Sequence, residues 1–269
     1  MPSTKALVRR PSPLLAEGIV THIERSPIDV GLAMRQWEAH VEALRVSGWD
    51  VVEVPGVENC PDQAFVEDTV VVFRNVAVIA APGADARRAE TAAVEATIEA
   101  LGYSINRIRP PGTLDGGDVL KIGDTVYVGR GGRTNGDGIR QLRATLAPVG
   151  ADVVAVPLTK VLHLKSAVTA LPDGTVVGWA PAVDQQSLFS RFLPTPEESG
   201  AHVVLLGGNR LLMAASCPES AELYRGLGYE PVVVDISEFE KLEGCVTCLS
   251  VRLRHAPDRD CAESLSTRS

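Results

Sequence analysis

The sequence predicts an α/β fold assembled from repeated strand, strand, helix, strand units. Paired apolar runs of alternating polarity recur along the chain, and tight-turn residues separate the two runs of each pair. A helical stretch and one further short strand follow most of these pairs. The units recur at similar, wide intervals, which is typical of a repeat architecture.

Four hairpins are predicted because Gly, Asn or Asp stands at each turn, where the backbone needs positive φ. The hairpins span residues 69–81, 118–129, 167–179 and 202–214, with turns at 74–75, 123–124, 172–174 and 207–209. Helices are predicted at 29–46, 85–101, 134–146 and 218–227, and strands follow them from residues 50, 104, 152 and 231. The third unit has a polar, Pro-containing stretch around 181–200 instead of a clear helix.

The N-terminal unit has one strand before its helix, KALVRRP at 5–11. The segment CLSVRLR at 248–254 can supply the missing partner, and this pairing would close a ring of five units. Closure removes the exposed sheet edges of an open array. An ordinary mixed α/β sheet with incidental hairpins is the alternative that composition and periodicity leave open.

Length and composition set the class of protein. The chain has 269 residues, 45% of them hydrophobic, which suits a single folded domain over 1–255 with a polar, flexible tail at 256–269. The formal net charge of −8 is a poor basis for binding nucleic acid or anionic membranes. The chain shows neither an apolar run of ~20 residues nor an N-terminal signal segment, so we expect a cytoplasmic protein. Five cysteines without framework spacing are expected to be thiols in a reducing compartment.

The segments after the last strand of each unit carry the chemically interesting side chains. They are PDQAFVED with Asp62, Glu67 and Asp68; GTLDGGD with Asp115 and Asp118; LTKVLHLKS with His163; and EGCVTCLS with Cys245 and Cys248. Equivalent loops of a ring converge on its axis. We therefore expect carboxylates, an imidazole and a thiol to meet in one cleft.

Structural interpretations of these residues compete with the functional one. His163 lies in the apolar run VLHL, Cys248 precedes a strand as small buried cysteines do, and two aspartates of TLDGGD suit a turn. The three carboxylates of PDQAFVED are harder to explain, because burying like charges requires a compensating cation. The lone C-x-x-C predicts neither a metal site nor a thioredoxin-like motif. A cation supplied by the substrate fits better, and a guanidinium attacked by a thiolate satisfies all these observations.

Six motifs together resemble those of dimethylarginine dimethylaminohydrolase (dimethylargininase), of the guanidine-modifying superfamily. They are PDQAFVED, PGADARR, LDGGDVL, GRGGRTN, LHLKS and GCVTCLSV, and the likeness runs from about residue 5 to 254. The resemblance implies a five-bladed α/β propeller of ββαβ repeats, the pentein fold. It also implies hydrolysis of asymmetric dimethylarginine or monomethylarginine to citrulline and dimethylamine or methylamine, through a covalent thiouronium intermediate. It implies no metal or cofactor.

The resemblance assigns roles to individual residues. The catalytic group is Cys248 as nucleophile, His163 as proton donor and later base, and Asp115 as the carboxylate that orients the histidine. The substrate-binding group is Ile19, Asp62, Phe65, Glu67, Asp68, Arg87, Arg133 and Leu242, with Glu67 and Asp68 on the guanidinium. Residues 12–27 would form a mobile lid. Cys245 is a second thiol for which the resemblance gives no role.

Two other functions stay open. An arginine deiminase would commonly carry His-x-Asp, with the Asp on the unsubstituted guanidinium nitrogen, whereas this chain has His163-Leu164-Lys165. A non-catalytic binder of arginine-like ligands would need only the acidic cluster. In each case the expected partner is a small molecule, and the protein is expected to be a monomer or a homodimer.

Overall fold

The computed structural model describes residues 4–254, which form a five-bladed α/β propeller. Each blade is a three-stranded sheet. The blades are β1 (Lys5–Val8), β2 (Asp50–Glu53) and β15 (Val251–Leu253); β3 (Val70–Phe73), β4 (Val76–Ile79) and β5 (Ser104–Arg107); β6 (Val119–Ile122), β7 (Thr125–Arg130) and β8 (Asp152–Pro157); β9 (Val168–Ala170), β10 (Val176–Gly178) and β11 (Phe192–Pro194); and β12 (Val204–Gly207), β13 (Arg210–Ala214) and β14 (Glu230–Val234). In every blade the middle strand pairs antiparallel with one neighbour and parallel with the other.

The four predicted hairpins are confirmed, and their turns lie at the predicted residues. Gly207 and Gly208 join β12 to β13 with φ of 112° and 59°, values that a residue with a Cβ adopts at a cost. Arg74 joins β3 to β4 at φ 53° without being glycine. Its guanidinium reaches the carbonyl of Val149 at 2.6 Å and Asp124 at 2.8 Å, contacts that hold the turn against the next blade.

In most blades a helix joins the middle strand to the strand that pairs parallel with it. These helices are α1 (Val30–Val46), α2 (Thr91–Ala100), α3 (Gly136–Leu146) and α4 (Pro218–Gly226). The short α5 (Ser237–Glu240) instead follows β14 and precedes β15. Asp29 caps α1 by accepting from Leu32 N at 2.9 Å, and Asn135 caps α3 by accepting from Gly138 N at 2.9 Å. The helix predicted from residue 85 begins instead as a 3-10 turn at Asp85–Glu90, because Arg87 and Glu90 turn inward and are buried.

The third unit departs from the others as its sequence indicates. Two short 3-10 turns, Ala180–Ala182 and Gln186–Leu188, stand where the other units have a helix. The strand β11, which the sequence did not predict, nevertheless pairs parallel with β10 and completes the blade. This strand has three residues and ends in proline, so it is too short for an alternating pattern of polarity to indicate it.

The predicted closure of the ring is confirmed. Strand β1 pairs antiparallel with β15, so that Lys5 lies opposite Leu253 and Leu7 opposite Val251. The strands β3, β6, β9, β12 and β15 are central, because residues of all five line one cavity. Within residues 4–254, the structure contains no helix with the length and apolar character that crossing a bilayer requires. The tail predicted at 256–269 lies outside the described residues.

Candidate active site

The candidate site lies where the chain enters the central strands. The 3-10 turns Val66–Thr69, Gly116–Asp118 and Leu164–Ser166 lead into β3, β6 and β9, and the segment 245–250 leads into β15. Equivalent points of the blades meet around the axis of the propeller. Side chains from four blades therefore surround one small cavity, which includes His163 and Cys248.

His163 is buried among carboxylates. Its Nε2 lies 3.0 Å from Asp115 Oδ2, and its Nδ1 lies 3.8 Å from Asp68 Oδ1. Burial opposes the charged imidazolium, but Asp68, Asp115 and Asp118 outweigh that effect and raise the pKa of His163 to about 9. His163 therefore carries a proton at neutral pH.

The turn TLDGGD supplies two carboxylates with different partners. Asp115 accepts from Gly83 N at 2.9 Å and contacts Arg133 Nη1 at 3.3 Å, so its orientation toward the imidazole is fixed. Asp118 accepts from Thr134 Oγ1 at 2.6 Å and from the backbone N of Leu164 at 3.0 Å. Asp118 thus anchors the backbone beside His163, and burial raises its pKa to about 6.

Cys248 and Cys245 form a close pair of thiols. Their sulfur atoms lie 3.1 Å apart, and Thr247 Oγ1 lies 3.2 Å from Cys245 Sγ. The backbone turns tightly here, since Cys248 N donates to Cys245 O at 3.0 Å. The C-x-x-C spacing therefore brings both sulfurs into contact just before a strand.

The two thiols titrate as one unit. A hydrogen bond from the Cys248 thiol lowers the pKa of Cys245 to about 5, and the same bond raises the pKa of Cys248. Either sulfur can donate the proton. The pair consequently holds one negative charge at neutral pH, shared between two sulfurs, while a second ionisation is strongly opposed.

Asp68 and Arg87 form a buried ion pair beside the imidazole. Arg87 Nη1 lies 2.5 Å from Asp68 Oδ2 and Arg87 Nη2 lies 2.8 Å from Glu90 Oε2. Burial opposes ionisation of Asp68, but His163 and Arg87 prevail and lower its pKa to about 2. The protein thus supplies part of the compensating positive charge that the sequence led us to expect from a substrate.

Glu67 is not brought together with the other predicted site residues. Its Oε1 accepts from Arg252 at 2.6 Å and lies 2.7 Å from Lys165 Nζ, and it faces the central cavity of the propeller. Only Asp68 of the two adjacent carboxylates lines the site. The two side chains diverge because consecutive residues of a 3-10 turn project in different directions, and the predicted contact of both with a guanidinium stays a prediction.

The remaining predicted residues surround the same cavity. Ile19, Asp62, Phe65, Arg87, Arg133 and Leu242 line it, together with three residues that sequence reasoning did not single out, Leu162, Glu243 and Gly244. Asp62 accepts from the backbone N of Ile19 at 3.1 Å, which ties the predicted lid to the acidic segment. A side chain at position 244 would overlap the Phe65 ring at 2.3 Å, so glycine is required there. Gly244 is the first residue of the motif GCVTCLSV, and this glycine beside the predicted nucleophile is the sequence signal that could have indicated the contact.

The site is closed over a very small space. The cavity has a volume of about 20 Å³, room for a single water molecule. Residues 18–22 cross it, and Glu243 accepts from Thr21 N at 2.7 Å and from His22 N at 2.8 Å. An amino acid needs more space than this cavity offers.

Asp68, Asp115 and His163 each offer a potential ligand atom within 4.8 Å of the others, which is close enough for a metal ion. Each carboxylate, however, already contacts an arginine, Arg87 or Arg133. A histidine ligates metals as the neutral imidazole, whereas His163 is protonated at neutral pH. The donor set suits an imidazolium better than a metal ion.

Comparison with known proteins identifies the family. No family model matches the chain. The N(G),N(G)-dimethylarginine dimethylaminohydrolase of Streptomyces coelicolor is 70% identical over 258 residues, which cover 96% of this chain and 100% of the relative. This chain belongs to the dimethylarginine dimethylaminohydrolase family. The family's member from Pseudomonas aeruginosa is 34% identical over 249 residues, 91% of this chain and 98% of the relative.

Solved structures of dimethylarginine dimethylaminohydrolase share the propeller. A histidine-to-glycine variant in an adduct with S-methyl-L-thiocitrulline matches with a TM-score of 0.87 at 32% identity, covering 93% of this chain and 99% of that chain. The Pseudomonas aeruginosa enzyme, as a cysteine-to-serine variant complexed with citrulline, matches with a TM-score of 0.86 at 33% identity, covering 93% and 100%. The N-terminal domain of a cyanobacterial arginine dihydrolase matches with a TM-score of 0.85 at 18% identity, over 95% and 99%, which concerns the fold alone.

Proposed function

We propose that this chain hydrolyses Nω-methylated arginine, asymmetric dimethylarginine or monomethylarginine, to citrulline and dimethylamine or methylamine. One observation carries the proposal. The thiol of Cys248 and the imidazole of His163, which contacts Asp115, come with that carboxylate from three blades, and the thiol and the imidazole line one small cavity. The proposal is supported by the 70% identical relative, which bears the name of this activity.

Substrate binding uses the charges that the cavity presents. The guanidinium lies beside Asp68, which stays ionised because its pKa is lowered to about 2. Asp62 and the backbone of Ile19 receive the α-ammonium group, and Arg87 and Arg133 bind the carboxylate. Phe65 and Leu242 line the remaining wall. Asp68 alone takes the guanidinium role, since Glu67 faces away.

The reaction proceeds in two halves. The thiolate of Cys248 attacks the guanidinium carbon, and a tetrahedral adduct forms. His163 gives its proton to the departing dimethylamine, and the C–N bond breaks to leave an S-alkylthiouronium. The neutral imidazole then takes a proton from water, which attacks the same carbon. The C–S bond then breaks and Cys248 leaves as the thiolate. The hydroxyl proton of the adduct passes to the amine product or to solvent as citrulline is released, and His163 keeps the proton that it took from water.

Asp115 serves as a positioning residue in this mechanism. Its contact with Nε2 at 3.0 Å fixes the ring and favours the imidazolium form. A His163 pKa of about 9 keeps the proton donor charged at neutral pH, where the thiol pair is already ionised. The proton donor is thus in its required state, and Cys248 becomes the thiolate when it passes its proton to Cys245.

An arginine deiminase activity is the less favoured alternative. Lys165, which stands at the position of the deiminase aspartate, points away from the cavity and contacts Glu67 at 2.7 Å. No described residue of the His-Leu-Lys triplet offers a carboxylate for an unsubstituted guanidinium nitrogen. We expect the site to accept N-methyl groups there and to prefer dimethylarginine over arginine.

The compartment and assembly are part of the proposal. The four cysteines within residues 4–254 are free thiols, as a reducing cytoplasm allows. The substrate is a small molecule, and the protein acts as a monomer or a homodimer.

The decisive experiment incubates the enzyme with asymmetric dimethylarginine and measures citrulline and dimethylamine together. Equal amounts of both products are expected, with turnover well above that of arginine. Cys248→Ser should abolish turnover by at least about a thousandfold while retaining ligand binding by calorimetry. A preference for arginine would favour the deiminase, and ligand binding without turnover in the unaltered protein would show a binding protein.

A further inference from the structure

The central cavity on the other side of the site is large and rich in cations. It has a volume of about 480 Å³ and shares no lining residue with the small catalytic cavity. A layer of protein, the partition, separates the two cavities, and three pairs of nearby residues face opposite sides of it. Asp68, His163 and Cys248 line the catalytic side, and Glu67, Lys165 and Thr247 line the central cavity.

Positive charge in this cavity is in excess. Four cationic residues line it, Lys121, Lys165, Arg252 and Arg254, against the carboxylates Glu67 and Asp173. Asp173 is already paired with Arg191 at 2.5 Å, at the exposed rim. Among the described residues, Glu67 is therefore the one carboxylate of this lining left for four cations, in a chain whose overall charge is −8.

Among residues 4–254, the contacts of Glu67 leave two of these cations without a counter-ion. Its Oε1 lies 2.7 Å from Lys165 and 2.6 Å from Arg252. Lys121 Nζ donates to the carbonyl of Val72 at 2.7 Å, and Arg254 Nη2 donates to the carbonyl of Leu205 at 3.0 Å. An ammonium has three donors and a guanidinium five, so donors of both groups are available to a ligand.

The electrostatics of Lys121 agree with this count. Lys121 faces the open cavity, and the protein wall beside it limits the hydration of its ammonium group. This desolvation, followed by repulsion from Lys165, Arg252 and Arg254, lowers the pKa of Lys121. Desolvation and repulsion from Arg252 lower the pKa of Arg254 in the same way. A bound anion would relieve the repulsion that residues 4–254 leave uncompensated.

We propose that the central cavity of the propeller binds a small, multiply charged oxyanion through Lys121 and Arg254, with Lys165 and Arg252 behind them. The cavity is open at the end where Lys121 and Arg254 lie. Lys121, Arg252 and Arg254 also line a second space of about 390 Å³ that adjoins it, with Arg74 and Asp124 paired at the rim at 2.8 Å. Both spaces are large enough for a sulfate, a phosphate or a small phosphate ester.

Sulfate tests the proposal, because its charge stays at −2 across neutral pH. Calorimetry of the full-length protein should show one saturable site for sulfate, measured against chloride at matched ionic strength. Lys121→Gln should weaken the binding roughly tenfold or more, since it removes a charge-assisted hydrogen bond. Arg254→Gln, at an exposed position, should weaken it similarly and provides a second test if the first variant folds poorly.

Arg140→Gln is the matched control, because Arg140 lies on the exposed face of α3 and lines neither space. It should bind sulfate as the unaltered protein does. The proposal is overturned if sulfate gives no more heat of binding than chloride does. It is also overturned if the cavity variants bind sulfate with the same affinity as the control. The measurement uses no substrate, so it succeeds or fails independently of the proposed hydrolysis.

Discussion

Cys245 changes the chemistry of the nucleophile because it shares a proton with Cys248. We predict that Cys245→Ala moves the first thiol ionisation of the site to higher pH by about one pH unit or more, since the remaining thiolate loses the S–H donor that the pair supplies. The pH dependence of alkylation by iodoacetamide measures this. Cys217→Ala, which removes a buried thiol that does not line the site, is the control. An unchanged alkylation midpoint would show that the two sulfurs titrate independently.

The proton on His163 sets the alkaline limit of activity. We predict that kcat/KM falls as the pH rises through about 9, where His163 loses its proton. Asp115→Asn removes an anion that raises this pKa, so the alkaline limb should move down by about one pH unit. Asp85→Asn, on an exposed carboxylate, should leave the limb in place. A pH profile identical in all three proteins would exclude His163 as the titrating acid.

The same proton contributes to stability. The folded-state pKa of about 9 lies above the unfolded value of 6.5. The stabilisation is therefore fully present below about pH 6.5 and is lost as the pH rises through 9. Urea unfolding of the unaltered protein and His163→Gln should give a difference that shrinks over this window, by roughly 3 kcal/mol. A difference that is constant between pH 6 and pH 10 would contradict the raised pKa.

Residue patterns alone identified the convergence of thiol, imidazole and carboxylates, but not the direction in which each side chain points. Glu67 and Asp68 are adjacent in PDQAFVED, and only the geometry of the 3-10 turn separates them onto two sides of the partition. The sequence did not indicate Glu90 either, because its contact with Arg87 depends on a 3-10 turn where the residue pattern predicts an α-helix. Sequence spacing fixes which loops meet, whereas local backbone geometry fixes which atoms meet.

At the scale of elements, the loop over residues 18–22 controls entry to the site. Glu243 holds this loop by accepting two backbone N–H groups, those of Thr21 and His22. We predict that Glu243→Gln, which retains one acceptor oxygen, loosens the loop and raises the rate of proteolytic cleavage there severalfold. Limited proteolysis measures this, and KM should change with it. Glu222→Gln, on the exposed face of α4, should be cleaved at the same rate as the unaltered protein.

Elements with strong local causes were predictable. The four hairpins follow from turn residues that adopt positive φ, and α1 and α3 begin at the capping residues Asp29 and Asn135. Strand β11 was not predictable, because three residues ending in proline carry no period. Its place is set by pairing with β10, which is a tertiary contact.

At the scale of the whole molecule, the β1–β15 pair completes the ring and makes the two ends of the chain interdependent. We predict that Leu7→Ala, at a fully buried position of β1, lowers the free energy of unfolding by about 2–5 kcal/mol. Urea unfolding should remain a single transition, since residues 1–255 are proposed to form one domain. Val46→Ala, at a side chain that is 68% exposed, should cost less than about 1 kcal/mol. Two separate transitions would indicate blades that unfold independently.

Because the ring of blades is closed, the fold does not depend on which residue begins the chain. Because Lys5 lies opposite Leu253 in the closing pair, a short flexible linker can join residue 254 to residue 4. The glycine turn at Gly207–Gly208 then offers a natural place for new termini. A circular permutant cut there would begin at β13 and end at β12, and it should assemble the same five blades around the same axis.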